Sequence, residues 1–483
     1  MRLQDMLLSK LFKNAPEIEI EQLSVDSRLS MKNAIFFCLN GIKYDGHDYI
    51  EEAVNNGAKV IVYSKDQPKK FKAVYIKVAN VNNALIKIAD YFYNMPNEGI
   101  DKYLICGNYG RCSVACFINY YLNSFTSCGY VGILGIHYGG MELNSSFATL
   151  NILDNLKMLD TMKKNDVEAV TFEASASAIN LQKLDSIKPE CFVYTCTDRN
   201  SSEFQTNDYY TYIRRYLYTL EDDTRIVFNI DDESFNEFNE CVNNYVTYGT
   251  STIADYQIRD ISISRNGISY KLVYNNETYP VKARIQGRVN VYNLTAAIVA
   301  LHTQGYDLSH IIETMAGVEY VDGVMERIDE EYNIIVDSAY DLGSIEQICE
   351  YANNVSRKGK SIGVISINAS DGDKRLERIM DIAEKYLDVI ILAENESLNF
   401  EVMEILERCN KFTHSKRVLH TAQRSQAIEV GVEIMNKNDT LIIVGKGNER
   451  FLSMGLGKEF YYGDKYYARK FIATRRREEN EII

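Results

Sequence analysis

The sequence predicts an α/β protein of three successive units: a small N-terminal α/β domain over residues 1–98, a central doubly wound domain over 99–320, and a second doubly wound unit over 321–483. Three observations carry that reading. Short apolar runs that end in polar residues recur along the chain, and stretches with helical periodicity lie between them. A glycine-rich turn, GNYGRCS from Gly107 to Ser113, joins one apolar run to one helical stretch as a phosphate-binding loop does.

A chain of 483 residues that is 46% apolar can fill a core in each of several domains. No segment approaches the roughly 20 uncharged apolar residues that span a bilayer. The start, MRLQDMLLSKLFKNAPEIEIE, acquires acids where a signal peptide carries a small-residue cleavage site. A cytoplasmic protein without membrane insertion is expected. Ten cysteines without CxxC or Cys/His metal spacing read as small buried hydrophobes in a reducing compartment. The net charge of −14 disfavours nucleic acid as a partner but leaves room for a local pocket that holds one phosphate. The basic stretch ARKFIATRRREEN is interleaved with acids and reads as a solvated helix face.

In the first unit, AIFFCL and KVIVYS read as strands. Between them DGHDYIEEAVNNG places Ile50, Ala53 and Val54 on one helical face and ends in glycine. The stretch MPNEGIDK near residue 98 joins two ordered segments. The central unit contributes YLIC, VEAVTFEAS, ECFVYTCT and TRIVFNIDD, strands buried on both faces whose carboxyl ends are where α/β proteins place ligands. Residues 255–284 alternate polar and apolar side chains and predict an antiparallel edge with a hairpin turn at Asn266-Gly267. The last unit supplies NIIVDSA, SIGVISI, DVIILAE and DTLIIVG, four apolar strands with helices between them.

The glycine loop carries the strongest chemical signal. A working loop has Lys after its second glycine, then Ser or Thr for Mg²⁺; here Arg111 and Cys112 stand there, followed by Ser113. Arg keeps the charge, but its rigid planar fork does not reproduce the compact point charge of Lys, and a thiol is a soft replacement for a hydroxyl ligand. The residues alone leave open a phosphate cradle and a purely structural strand-to-helix turn. Glu173, at the end of VEAVTFEAS, is a candidate metal or base carboxylate or an ordinary solvated strand end. Asp198, Arg199, Asn200 and Glu203 form either a ligand pocket or a hydrophilic loop. Lys446 and Glu449 of GKGNERF sit on another strand-end loop.

The ordered set of motifs resembles the Mur ligases, closest to the branch that adds the third residue to UDP-MurNAc-dipeptide, UDP-N-acetylmuramoyl-tripeptide synthetase, from about residue 20 to 465. The landmarks are VDSRL with Asp26, Ser27 and Arg28; the segment IFFCLNGIKYDGHDYIEEAVNNGAKVIV; RVNVYN with Asn290 and Asn293; and DKR, TAQRSQAI and GKGNE near the end. The resemblance implies a UDP-substrate domain, a central ATP-binding domain and a C-terminal dinucleotide-type domain, which together join a carboxylate to an amine through an acyl phosphate. It implies substrate contacts at Ser27, Arg28, Asp45, Gly46, His47, Ser145, Ser146 and Ser175. Nucleotide contacts are implied at Gly107, Gly110, Arg111, Cys112, Ser113, Asn290, Asn293, Asp337 and Lys446, with a metal contact at Glu173.

Several motifs depart from the family pattern. GTNGKTT is here GNYGRCS; EVSSH is EASAS, with Ser177 replacing His; and DHLDFH is NSSEFQ, Asn200 to Gln205. Arg214 and Arg215 stand at the carbamylated lysine, which guanidinium cannot reproduce. NTTP is NSSF from Asn144 to Phe147, DYAHTP is DSAYDL from Asp337 to Leu342, GRME has Val324, and GKGHE has Asn448. DNPR is ENES, Glu394 to Ser397, without the Arg that clamps diaminopimelate. The expectation is a catalytically impaired or inactive homologue that binds a UDP-linked peptidoglycan precursor, a UDP-sugar or a cell-wall synthesis protein. The competing expectation is a divergent ATP- and Mg²⁺-dependent amide ligase; a purely structural or protein-binding role is the third.

Overall fold

The computed structural model describes residues 18–29, 32–41, 44–66, 68–143, 149–197, 208–368, 370–398, 402–414, 417–421, 423–454 and 457–481. The first unit is a four-stranded parallel sheet in the order β1 (Gln22–Ser24), β2 (Ala34–Phe37), β3 (Ala58–Tyr63) and β4 (Val74–Lys77). The helix Ile50–Asn55 turns Ile50 and Ala53 into one face of this sheet and stops before Gly57, whose φ of 108° suits only glycine. On the other face lie Leu85, Ile88 and Ala89 of the helix Val81–Phe92, beside Leu153 and Leu156 from the central unit's helix Ile152–Lys163. That shared apolar contact seats the small domain on its neighbour.

The central sheet has eleven strands: β5 (Asp101–Cys106), β6 (Cys128–Gly132), β7 (Gly135–Tyr138), β8 (Met141–Leu143), β9 (Ala169–Ala174), β10 (Cys191–Tyr194), β11 (Arg225–Asn229), β12 (Tyr245–Gly249), β13 (Tyr256–Ser264), β14 (Gly267–Tyr274) and β15 (Glu277–Ala283). Their order is β15-β14-β13-β12-β11-β10-β5-β9-β6-β7-β8, with a parallel middle from β13 to β6. Every residue of β9 and β10 is buried, as strands covered on both faces require. Helices Arg111–Leu122 and Val289–Thr303 pack on one face of this sheet. The helix Tyr209–Leu217 packs on the other. Because β5 lies between β9 and β10, the carboxyl ends of these strands open a crevice where chain direction switches sides.

The antiparallel edge β13-β14-β15 forms, but its first turn is one residue earlier than expected. Ser264 pairs with Gly267, so Arg265 and Asn266 make the turn. Gly267 opens β14 at φ 119°, where an added Cβ would lie 2.1 Å from the Ala283 carbonyl oxygen of β15. Close strand approach, not turn geometry, requires that glycine. The two left-handed turn residues are Asn275 and Asn276 in the next hairpin, with φ of 49° and 66°.

The third unit is built from β16 (Glu326–Asp329), β17 (Asn333–Asp337), β18 (Ser361–Asn368), β19 (Val389–Leu398), β20 (Val418–Thr421), β21 (Thr440–Val444), β22 (Phe451–Met454) and β23 (Gly457–Phe460). The four expected strands β17, β21, β18 and β19 are neighbours and parallel, with apolar layers on both faces. Arg424 is fully buried here and doubly hydrogen-bonded to Asp464 at 2.7 Å. That arginine of TAQRSQAI joins the starts of two helices. The basic face of the final helix, Asp464–Glu481, pairs with acids: Arg475 with Glu479, and Arg476 with Asp329 and Glu331.

Candidate ligand cleft

The glycine loop leaves β5 at Cys106 and enters the helix Arg111–Leu122. Gly107 has φ 135°, and a Cβ there would lie 2.0 Å from Thr195 Oγ1 and 2.9 Å from the Cys196 nitrogen. Gly110 has φ 82° and begins the helix without a side-chain cap; its Cβ would lie 2.3 Å from Asn293 Oδ1. Asn293 in turn donates to Asn290 Oδ1 at 3.1 Å, and Asn290 donates to the Gln286 carbonyl at 2.8 Å. The tertiary fold therefore brings Gly107, Gly110, Asn290 and Asn293 together. The loop ends in a helix N-terminus without a side-chain cap that faces a cleft, the backbone geometry that suits an anion.

The side chains are another matter. Arg111 donates to its own loop's Gly107 carbonyl. Ser113 is buried to 1% exposure. Cys112 Sγ lies 3.7 Å from the Tyr130 hydroxyl, and that hydroxyl donates to Glu173 Oε1. The same carboxylate oxygen accepts the Ile133 N–H at 3.2 Å. Contact with Cys116 and then burial hold the Cys112 thiol well above its ordinary range. Mg²⁺ prefers several oxygen ligands in an octahedron at roughly 2.0–2.1 Å. A protonated thiol and a carboxylate oxygen already facing a phenol do not fit it. Among the described residues, no group of three or more His, Cys, Asp or Glu side chains is placed to hold a metal ion.

The loop borders a cleft of about 1330 Å³ between the central and third units. Across it stand Asp337, Lys446, Asn448 and Glu449. Asp337 accepts the N–H groups of Met325 and Ala339, each at 2.6 Å; burial outweighs these bonds and pushes its carboxyl up to about 7. Lys446, 1% exposed, is held by Glu449 and the Phe451 carbonyl, both at 2.9 Å. Asn448 donates to Asp322 of the interdomain connection at 3.2 Å. Asp231 and Asp232, beyond β11, also line the cleft. Burial raises the Asp231 carboxyl, but bonds from Thr250, Tyr292 and Ser251 bring it below its ordinary value. Asp231, Asp232, Thr195 and Tyr130 were not singled out in the sequence. The two aspartates had a signal, a polar pair at the end of a buried strand; Tyr130 inside CGYVG reads only as core.

Other expected residues fall elsewhere. Arg214 pairs with Glu237, and Arg215 donates to the Ile179 carbonyl at 2.5 Å; neither lines the cleft. Ser175 caps the short helix Ala176–Asn180 and lies 2.9 Å from Ser177 Oγ. Ser145 and Ser146, with Asn144 and Phe147, lie outside the described residues, as do Asp198 to Gln205. Glu394 to Ser397 form part of β19.

The first unit holds a separate polar constellation. Asp45 accepts the His47 N–H at 3.0 Å and its Nδ1–H at 2.6 Å, and pairs with Lys65. His47 Nε2 accepts the N–H groups of Ser64 and Lys65 at 3.1 and 3.3 Å, which assigns the Nδ1–H tautomer. Burial raises the Asp45 carboxyl, but the Lys65 and His47 bonds outweigh it and bring it down to about 2. Gly46 packs on the end of β2, where a Cβ would lie 2.8 Å from the Leu39 nitrogen. Ser27 donates to Glu52 at 2.5 Å, and Asn56 donates to the Ser27 carbonyl at 2.7 Å. Arg28 is braced by Asp26 with its side chain 79% exposed, open to a ligand. Among the described residues no helix is long and apolar enough to cross a membrane.

Comparison with known proteins places these features in one family. The Mur ligase middle domain matches residues 105–301, the catalytic domain of the Mur ligase family matches 19–93, and the Mur ligase glutamate ligase domain matches 324–447. The chain is 28% identical over 483 residues to the UDP-N-acetylmuramoyl-L-alanyl-D-glutamate–2,6-diaminopimelate ligase of Rickettsia typhi, covering 96% of this chain and 95% of that one. It is 24% identical over 462 residues to ligase 1 of the same name from Clostridium acetobutylicum, covering 94% and 95%. A solved ligase of that name superposes with TM-score 0.73 at 19% identity over 99% of both chains. The MurF ligase of Thermotoga maritima in complex with ADP gives 0.63 at 14% identity over 96% of this chain and 100% of that one. With the three domain matches following one another in the same order as the three sheets, the chain belongs to the Mur ligase family.

Proposed function

We propose that this protein binds a UDP-linked peptidoglycan precursor through its first unit and does not ligate it. The observation that carries the reading is the inward turn of the loop's chemistry: Arg111 bonds its own Gly107 carbonyl, and Glu173 faces a phenol. Phosphoryl transfer depends on preorganised positive charge around the moving group, and loss of one such interaction costs roughly 3–4 kcal/mol of barrier. Arg214 and Arg215, at the position the family gives to a carbamylated lysine, are spent on Glu237 and the Ile179 carbonyl. Support for retained binding comes from the organised Asp45, His47 and Lys65 cluster and the exposed Arg28.

The second reading, a divergent ATP-dependent amide ligase, is favoured by the surviving loop backbone at the N-terminus of a twelve-residue helix. The relatives named as ligases over nearly their whole length support it too. One experiment separates the two. ATP, Mg²⁺, UDP-MurNAc-dipeptide and a panel of amino acids are supplied, and phosphate release and amide mass are followed alongside calorimetry with UDP-MurNAc-dipeptide. Binding heat without amide product is expected. Substrate-dependent amide formation that disappears in Arg111→Ala establishes the ligase instead, and absence of heat at millimolar ligand removes the binding role.

A further inference from the structure

We propose that Tyr130 is the residue that excludes a divalent cation from this loop, its phenolic hydroxyl standing between Glu173 and Cys112 where a bridging metal ion would otherwise sit. The proposal rests on the non-ligating reading of the cleft and names the side chain that produces it. Tyr130 projects from β6 and is 3% exposed. Its hydroxyl donates to Glu173 Oε1, accepts the Leu134 N–H at 3.3 Å and lies 3.7 Å from Cys112 Sγ. Glu173 Oε1 also accepts the Ile133 N–H at 3.2 Å, so two protons already point at this oxygen. Gly132 makes the arrangement possible, because a Cβ there would lie 2.3 Å from Glu173 Oε1 and 2.4 Å from the Tyr130 hydroxyl.

A hard cation has two routes to Glu173 Oε1. It can displace the phenol, which breaks its bonds to Glu173 and Leu134 and moves a ring packed 5.6 Å from the His137 ring. Alternatively it can bind the phenolate. That route requires the proton of a buried hydroxyl, already donated to Glu173 Oε1, to be removed without water at hand. A magnesium ion also dehydrates reluctantly and demands oxygen ligands, while the side chain beside the hydroxyl at Cys112 is a thiol. The hydroxyl therefore does more than fill a gap: it engages Glu173 Oε1, an oxygen that a metal bridging to Cys112 would need.

Manganese titration followed by the loss of the free-ion electron paramagnetic resonance signal tests this on the full chain. The wild type is expected to show no binding that depends on Glu173. The variant combining Tyr130→Phe with Cys112→Thr, which removes the phenol and restores a hard hydroxyl, is expected to bind at least about tenfold tighter. Adding Glu173→Gln should abolish the gain. Glu173-dependent binding by the wild type, or a folded double variant with no gain, overturns the proposal. Should the double variant fail to fold, Glu173→Gln in the wild-type background decides: an unchanged titration is expected, and a weakened one overturns the proposal. Amide formation by a wild type whose manganese titration is independent of Glu173 would remove the non-ligating reading alone. Glu173-dependent manganese binding without amide formation would remove the Tyr130 assignment alone.

Discussion

The Asp45–His47 turn and the Gly107–Ser113 loop occupy equivalent places in two domains, each following a buried strand and leading into a helix. They are held by opposite means. The first is held by its side chains: Asp45 gathers His47 and Lys65, and His47 reaches the backbone of Ser64 and Lys65 beside β3. The second is held by its backbone and by packing, with two left-handed glycines pressed against Thr195 and Asn293. A motif that is also the fold's fastening cannot change without loosening the domain. A loop shaped by glycine can exchange Lys and Thr for Arg and Cys and keep its path. That contrast sets a turn fastened by its side chains beside a loop fastened by its glycines.

The largest effect should come from attacking the glycine loop's backbone. Gly107→Ala forces a Cβ into Thr195 at a left-handed position and should lower stability by about 3–5 kcal/mol, read by chemical denaturation. If it is silent, the loop is not held as described.

Asp45 and Asp337, which faces the glycine loop across the cleft, should also respond oppositely to acid. The Asp337 carboxyl is raised to about 7, so the folded state holds a proton that the unfolded chain has released. Its contribution is fully present below the unfolded value near about 4 and is lost as pH rises through about 7. Asp337→Asn should flatten that decline, on the order of a few kcal/mol. Asp45 is lowered to about 2, so its contribution is present above about 4 and is lost as pH falls through about 2. Asp45→Asn should remove stability at neutral pH and little at the acid end. Denaturation curves for both variants across this range check the signs, and parallel behaviour would erase the contrast.

The smallest effect concerns Arg28. Among the described residues its exposed side chain bonds only Asp26 of its own turn, so Arg28→Ala should leave the melting temperature nearly unchanged. Loss of one charge-assisted bond should weaken UDP-MurNAc-dipeptide binding by roughly tenfold or more. Calorimetry and thermal melts on the same sample read both, and a large stability loss would make Arg28 a fastening residue like His47.

Much of the fold was legible because it is written in local pattern. Apolar runs bounded by polar ends became β5, β9, β10, β11 and the parallel core of the third unit, and the stretch ahead of Gly57 became a helix on the expected face. The spacing of Gly107 and Gly110 located the strand-to-helix loop, since positive φ is a property of single residues. Even the one-residue error at Arg265-Asn266 is instructive: Gly267 answers to the carbonyl of Ala283, sixteen positions on, and no local rule contains that contact.

The sequence by itself thus determined the α/β architecture and the family. What only the tertiary structure decided is where individual side chains go. Arg111 turns onto its own loop, Arg424 is buried against Asp464 from forty positions away, and Tyr130 crosses from β6 to the carboxylate at the end of β9. The physical reason is range. Helix, strand and turn preferences are set by neighbours along the chain, whereas a hydrogen bond between two strands exists only once the sheet order places them side by side, and the parallel pairing of β6 with β9 does that for Tyr130 and Glu173.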